Sequence, residues 1–179
     1  MYHEDVSRVT MPEPTDDDIR YFTDLCTVIG FVVTHWSLAE NQIDNWASVC
    51  FNDLGGAKFQ KGAGVPRMLS SKVAFLKQCF KALPILADFR IDGLALLDRF
   101  SSAAKRRNDL MHGSLMELRP DPVTGAFKFR RIGYKGDLYL ISEFTLTPDD
   151  FREFAPTLSD LVTDAISFSR KLADRFPGS

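Results

Sequence analysis

The chain has 179 residues, of which 45% are hydrophobic and 26% charged, and its formal net charge is -2. A sequence of this length and composition folds into one globular domain that buries roughly 70% of the surface its unfolded form exposes, which excludes the disordered and fibrous classes. The charge excludes a protein that is basic throughout, so a nucleic acid would have to bind at a local patch.

The cysteines and the N-terminus indicate an intracellular protein. Cys26, Cys50 and Cys79 are far apart, and each lies on an apolar helical stripe, as reduced core residues do. The first residues, MYHEDVSRVTMP, lack the apolar run of a signal peptide, and the stretch LCTVIGFVV is too short to span a bilayer. We therefore expect a cytoplasmic protein without membrane contact, with 1–14 as a flexible N-terminal segment.

A long first helix is predicted from Thr15 onwards, because a hydroxyl followed by three aspartates is typical of a helix start. Apolar residues then recur at steps of three and four: Phe22, Leu25, Cys26, Ile29, Val32, Val33, Trp36, Ala39, Ile43, Trp46, Ala47, Cys50 and Leu54. Unbroken, this helix would be about 55 Å long, with Gly30 as a point where it can bend. Its broad apolar face predicts a homodimer interface, with Trp36 and Trp46 as core or interface anchors.

Two further helices follow a glycine-rich connector at 55–67. The second covers about 68–83, with Met68 among its inward residues, and Pro84 stops it. The third begins near Ile91 and runs along an apolar line through Leu94, Leu97, Ala104 and Met111. Gly113 suits a left-handed residue just past its end, which places His112 in the last turn.

The period then changes from helical to alternating. SLMELR, AFKFRRIG and DLYLISEFTL predict three antiparallel strands, with Phe127, Phe129 and Ile132 facing the core. Thr147 opens a last helix, which Pro156 is expected to kink or divide. The predicted fold is therefore mainly α: a helical bundle with a long first helix and a small three-stranded antiparallel β-meander at 114–146, in a single domain at 1–179.

The stretch RRNDLMHGSL carries the candidate chemistry. Asn108 and His112 are four residues apart and face the same way on a helix, whereas Arg107 lies about 140° around the circumference from His112. Only the reach of the arginine, or a break at the helix end, lets both meet one substrate. Histidine can transfer protons near neutral pH, and arginine offers planar, charged donors that match phosphate oxygens.

Arg107-Asn108-Asp109-Leu110-Met111-His112 resembles the R-x-x-x-x-H signature of the HEPN superfamily, many members of which are helical, dimeric, metal-independent endoribonucleases. The resemblance implies that His112 is a general acid or base, that Arg107 stabilises the charge on the phosphate, and that Asn108 orients the site. The product would carry a 2′,3′-cyclic phosphate, no cofactor would be needed, and RNA would be the partner. A toxin or phage-defence setting, with an antitoxin-like protein, would fit such a domain; the meander departs from a purely helical pattern.

An alternative explains the same residues without catalysis. Glu40 lies on the apolar line of the first helix, where a carboxylate needs a partner, and Arg107 is the obvious candidate. If they form a buried ion pair while Asn108 and His112 satisfy backbone groups, the motif is a structural helix end in a non-catalytic interaction module. Glu40 and Asp109 can equally support a catalytic site, since a nearby carboxylate can position Arg107.

Weaker signals lie elsewhere. Basic residues near the motif and on the second strand, with Tyr134 and Tyr139 between them, suit a nucleic-acid surface, although a solvated strand face explains them as well: Arg106, Lys128, Arg130, Arg131 and Lys135. The Gly62–Gly64 element with Lys58, Lys61 and Arg67 suits phosphate binding at the start of the second helix, but it follows no strand, which favours a flexible loop. His3 and His35 share no ligand spacing with His112, so no metal site is predicted.

Overall fold

The computed structural model describes residues 13–117, 119–135 and 137–177, with only the backbone of Lys135. Residues 1–12 of the predicted flexible segment lie outside the described residues. The elements in chain order are α1 (Asp16–Asn52), α2 (Leu69–Ala82), α3 (Arg90–His112), β1 (Ser114–Leu115), β2 (Phe127–Lys135), β3 (Leu138–Leu146) and α4 (Pro148–Arg175), with short 3-10 helices at Gly56–Phe59 and Pro84–Phe89. The predicted fold class is confirmed.

Both predicted helix caps are formed. The Thr15 hydroxyl accepts a hydrogen bond from the Asp18 amide while the Asp18 carboxylate accepts one from the Thr15 amide, and Thr147 and Asp150 repeat this reciprocal cap at α4. α1 runs through Gly30 without interruption, and α4 is not divided at Pro156. The proline removes one backbone donor, but the apolar face of α4 is packed in the core on both sides of it.

An aromatic cluster holds the helices together. Trp36 and Trp46 from α1 both contact Phe100 of α3 edge to face, and Trp46 also meets Phe168 of α4 with ring centroids 5.0 Å apart. Trp36 and Trp46 are 2% and 3% exposed, which confirms the tryptophans as core anchors. Edge-to-face pairs of this kind stabilise a core by about 1 kcal/mol each beyond the burial of their area.

The meander is a three-stranded antiparallel sheet in the order β1-β2-β3. Phe127 pairs with Leu146 and Phe129 with Phe144, and these face α1 in a small second core. The prediction that Ile132 also faces the core is wrong: it is 49% exposed. Side chains alternate along a regular strand, so an even-numbered residue lies on the opposite face from Phe127 and Phe129.

Several residues predicted to face the core lie at the surface. The exposed ones are Phe22, Cys26 and Val33 of α1, Met68 before α2, and Met111 of α3. The N-terminal half of α1 packs on the narrow meander, which covers only one side of its broad apolar stripe. In α3 the predicted line is confirmed at Leu97, which is buried, while Leu94 and Ala104 are half-buried. The rest of the buried face is made by Leu96, Phe100, Ala103 and Leu110.

The exposed stripe gives α1 a further property. Within the described part of the chain, α1 is the one helix long and apolar enough to cross a membrane, with an 18-residue window of mean hydropathy 1.3 of which 22% is buried. The apolar stretch LCTVIGFVV is itself shorter than a membrane span, but the helix α1 that contains it is not. Length and composition are weak arguments by themselves, since core helices of other proteins pass the same test.

Gly113 ends α3 for a different reason than predicted. Its φ is -80°, which is not left-handed. A Cβ atom at this position would lie 2.7 Å from the Asp109 carbonyl oxygen and 2.8 Å from Cζ of Phe144. Glycine is therefore required here because the sheet approaches the helix end closely. The backbone conformation itself does not require it.

Candidate active site

A cavity of about 540 Å³ opens where α3 ends and α2 begins. It lies between three elements, because α1 contributes Glu40, the segment leading into α2 contributes Arg67, and α3 contributes Arg107 and His112. The remaining lining residues are Met68, Leu69, Ser70, Val73, Ser101, Ala104 and Asn108. The fold thus brings the predicted residues Arg107, Asn108 and His112 to one cavity, together with Glu40.

Arg107 is held at the edge of the core. It is half-buried and lies on the inward line of α3, between Ala103 and Leu110. Its guanidinium Cζ lies 5.6 Å from the centroid of the Trp36 ring, and its Nη1 donates to Oδ1 of Asn108 over 3.0 Å. A cation above an indole face is attracted by the ring quadrupole, so Trp36 fixes the arginine without neutralising its charge.

Glu40 takes its hydrogen bond from the same indole. Trp36 Nε1 donates to Glu40 Oε2 over 2.9 Å. Within the described residues, no ion pair joins Arg107 to Glu40. The buried pair expected for a structural helix end is therefore not formed, and the arginine keeps donors free for a ligand in the cavity.

His112 is the last residue of α3, and its side chain is exposed. The imidazole lines the cavity and forms no hydrogen bond to a side chain or backbone group in the parts of the chain that the structure describes. His112 and Arg107 are about 140° apart around the helix. Because His112 is at the helix end, its imidazole still lines the same cavity as Arg107. Both ring nitrogens are thus open to a substrate or to water.

Apart from Glu40, the residues predicted to support the site or to bind nucleic acid form ion pairs outside the cavity. Asp109 pairs with Arg131 of β2 and not with Arg107. Arg106 lies 3.5 Å from Asp150, Lys128 3.4 Å from Glu117 and Arg130 2.8 Å from Glu143. None of these residues lines the cavity. Their carboxylate partners neutralise much of the positive charge that a nucleic acid would meet on this part of the surface.

Sequence reasoning assigned no site role to several residues of the cavity. Met68 was predicted to face the core and is instead 71% exposed at the cavity wall. For Arg67 the sequence suggests only a phosphate loop with Gly62–Gly64 or a flexible loop, and the segment 61–64 is irregular, as a flexible loop should be. Their approach to α3 is a tertiary contact that the spacing of residues along the chain does not encode.

A larger cavity, of about 600 Å³, lies between the N-terminal half of α1, the meander and the start of α4. Its walls are mostly apolar, with Leu25, Phe31, Phe127 and Phe151 among them. Such walls offer few groups for proton transfer or phosphate binding, so the cavity at Arg107 and His112 is the candidate site. Over the described residues, no group of three or more His, Cys, Asp and Glu side chains is arranged to hold a metal ion.

Comparison of the chain with models of protein families, with curated proteins and with solved structures finds no significant match.

Proposed function

We propose that this protein is a metal-independent endoribonuclease that acts at the cavity of Arg107, Asn108 and His112. The observation that carries the proposal is the shared cavity: the exposed His112 and the half-buried Arg107 line it together, and Arg107 has no carboxylate partner among the described residues. An unneutralised guanidinium beside a free imidazole suits a phosphodiester undergoing proton transfer.

The proposed reaction is an internal transesterification. The 2′-hydroxyl oxygen of RNA attacks the adjacent phosphorus, the bond from phosphorus to the 5′-oxygen breaks, and the products are a 2′,3′-cyclic phosphate and a 5′-hydroxyl. His112 either takes the proton from the 2′-hydroxyl or gives one to the departing 5′-oxygen. Arg107 stabilises the extra negative charge on the phosphoryl oxygens, and Asn108 holds the arginine through its side-chain oxygen.

A test of the proposal compares the wild type with His112→Ala and Arg107→Gln on mixed RNA in the presence of a chelator. We expect cleavage by the wild type, with 2′,3′-cyclic phosphate ends detected by mass spectrometry, and a loss of at least about 100-fold in either variant. His35→Gln is the matched control, because His35 stacks on Phe31 outside the cavity. DNA of the same sequence should resist, since it lacks the nucleophile.

Two results would count against the nuclease: equal cleavage by the wild type and His112→Ala, or intact RNA with the wild type across many RNAs. The non-catalytic interaction module would then be the better interpretation of the motif. Its expected signature, the Arg107–Glu40 ion pair, is not found in the described structure.

We further propose that the protein works as a homodimer through α1. An exposed stripe follows steps of three and four residues along this helix: Ile19 at 53% exposure, Phe22 at 49%, Cys26, the half-buried Ile29 and Val33 at 37%. A second copy that packs on the stripe would cover it. Glu40 is two helical turns beyond Val33 on the same side, so the partner would lie beside the cavity and could supply the second acid–base group that transesterification needs.

The dimer is tested by sedimentation of the wild type and of Val33→Lys. The lysine should convert the dimer to a monomer, because it places a charge in the apolar stripe. Thr34→Lys adds the same charge one residue later, about 100° around the helix, and should leave the dimer intact. A wild type that sediments as a monomer at high protein concentration would overturn this part of the proposal.

A further inference from the structure

We propose that Arg67 is a substrate-binding residue, which holds an RNA phosphate next to the one that is cleaved. The inference rests on the proposed function for the identity of the ligand, and it adds a residue outside the R-x-x-x-x-H motif. Arg67 lies two residues before α2, is exposed, and lines the cavity from the α2 side, whereas Arg107 and His112 line it from α3.

Neither arginine that lines the cavity has a carboxylate partner in the described chain. Most arginines of the described chain have an aspartate or glutamate partner, namely Arg20, Arg99, Arg106, Arg119, Arg130, Arg131 and Arg152. Arg67 hydrogen-bonds to no group and forms no ion pair over the described ranges, and the partners of Arg107 are the neutral Trp36 and Asn108. Two guanidinium groups without counterions therefore line one cavity, against the single carboxylate of Glu40.

The size and walls of the cavity favour more than one phosphate. At about 540 Å³ the cavity is within the range of sites that hold small organic ligands, and a single phosphate would leave most of it empty. Met68, Leu69 and Val73 provide an apolar wall directly after Arg67. This alternation of cationic and apolar surface matches a nucleotide chain, in which charged phosphates alternate with sugars and bases.

The binding test is done on the His112→Ala protein, so that RNA stays intact. The probe is a fluorescent single-stranded RNA of about 12 nucleotides, a length within the site sizes of single-strand binders, and its Kd is measured at several salt concentrations. Adding Arg67→Gln should weaken binding about tenfold and lower the slope of log Kd against log salt by about 0.7, the value for one phosphate contact on a single strand. Arg170→Gln is the matched control, because Arg170 is exposed, lies outside the cavity and lacks an ion pair in the described structure.

Binding by the Arg67→Gln protein that equals binding by the Arg170→Gln protein, in both Kd and salt slope, would overturn the inference. A second arm uses adenosine monophosphate: if it binds more tightly than the RNA, the ligand is a free nucleotide and the assignment to an RNA strand is wrong. Circular dichroism of each variant verifies that the fold is retained, as expected for an exposed residue.

Cleavage separates this inference from the proposed function. In a protein that retains His112, Arg67→Gln should raise KM about tenfold with little change in kcat, since the contact is made equally before and during the reaction. If the wild type cleaves no RNA while Arg67→Gln still weakens binding, the nuclease proposal fails and the binding role stands. If cleavage depends on His112 and Arg67→Gln changes neither KM nor Kd, the binding role alone fails.

Discussion

The Arg107 guanidinium lies over the Trp36 indole, and the same indole donates its N–H to Glu40. One buried aromatic side chain thus positions both a cation and an anion of the candidate site. It also keeps them on separate interactions, the cation on the ring face and the anion at the ring nitrogen. The site is therefore built on the core of the bundle, since Trp36 also packs on Phe100.

Trp36→Phe should lower RNA cleavage through kcat, because a phenyl face attracts the Arg107 guanidinium less than an indole face does, and loss of the indole N–H frees Glu40 to neutralise Arg107. We expect a fall of about tenfold, the effect of losing roughly 1.4 kcal/mol of positioning. Trp46→Phe is the matched control: Trp46 is equally buried, but its N–H donates to Ser169, outside the cavity. Both variants should lose similar stability in urea, and equal activity of the two would contradict the positioning role of Trp36.

Glu40→Gln should tighten the binding of RNA to the cavity. The amide oxygen can still accept the indole hydrogen bond, while the negative charge that repels phosphate is removed. We expect affinity to rise about threefold at low salt and the gain to shrink as salt screens the charge. Asp160→Asn, which removes an exposed carboxylate of α4 outside the cavity, should leave the affinity unchanged. Weaker binding by Glu40→Gln would show instead that the carboxylate positions Arg107.

The two faces of the β2–β3 hairpin should respond differently to truncation. Phe129 is 2% exposed and stacks on Phe144, so Phe129→Ala should cost about 3–5 kcal/mol of unfolding free energy. Ile132 is 49% exposed on the other face, and Ile132→Ala should cost less than about 1 kcal/mol. Urea unfolding measures both. Similar losses would mean that the strand register differs from the pairing of Ile132 with Ile141.

Phe129 and Ile132 show which features of the fold can be predicted from the sequence and which cannot. The change from helical to alternating periodicity located the meander, and Thr15 and Thr147 located two helix starts, because periodicity and capping are local. Which face of an element is buried depends on what covers it. Ile132, Met111 and Phe22 are apolar and fit a periodic line, yet no element of the described structure covers them.

The candidate site follows the same division. Arg107, Asn108 and His112 are close in sequence, so a motif finds them. Arg67 and Trp36 reach the site by tertiary contact between α1, α2 and α3, and their spacing along the chain carries no sign of it. The Arg107–Glu40 ion pair was predicted from a plausible need for a partner; the fold met that need for Glu40 through Trp36.

Gly113→Ala should destabilise the protein although the backbone at this position is one that any residue adopts. The added methyl would press on the Asp109 carbonyl and on the Phe144 ring, so the sheet would have to move from the end of α3. We expect a loss of about 1–3 kcal/mol, the usual cost of overpacking. Gly30→Ala is the contrasting variant: nothing lies within 4 Å of its added Cβ, and alanine in a helix should stabilise the monomer by up to about 1 kcal/mol. Thermal unfolding of both variants tests the pair.

The cap of α1 should make the free energy of unfolding depend on pH in the acid range. Hydrogen bonds from Arg119, and then from Thr15, hold the pKa of the Asp18 carboxyl well below its ordinary value. A group with a lowered folded-state pKa contributes its stability above the unfolded-state pKa of about 4 and loses it as the pH falls towards the folded-state value. Asp18→Asn should therefore be less stable than the wild type at pH 7, with a difference that narrows below about pH 4. Urea unfolding across this range measures the difference. Asp17→Asn is the control, since Asp17 is 70% exposed beside Arg20 and should change stability little at any pH. A gap between Asp18→Asn and the wild type that stays constant down to pH 3 would mean that folding does not lower the pKa of Asp18.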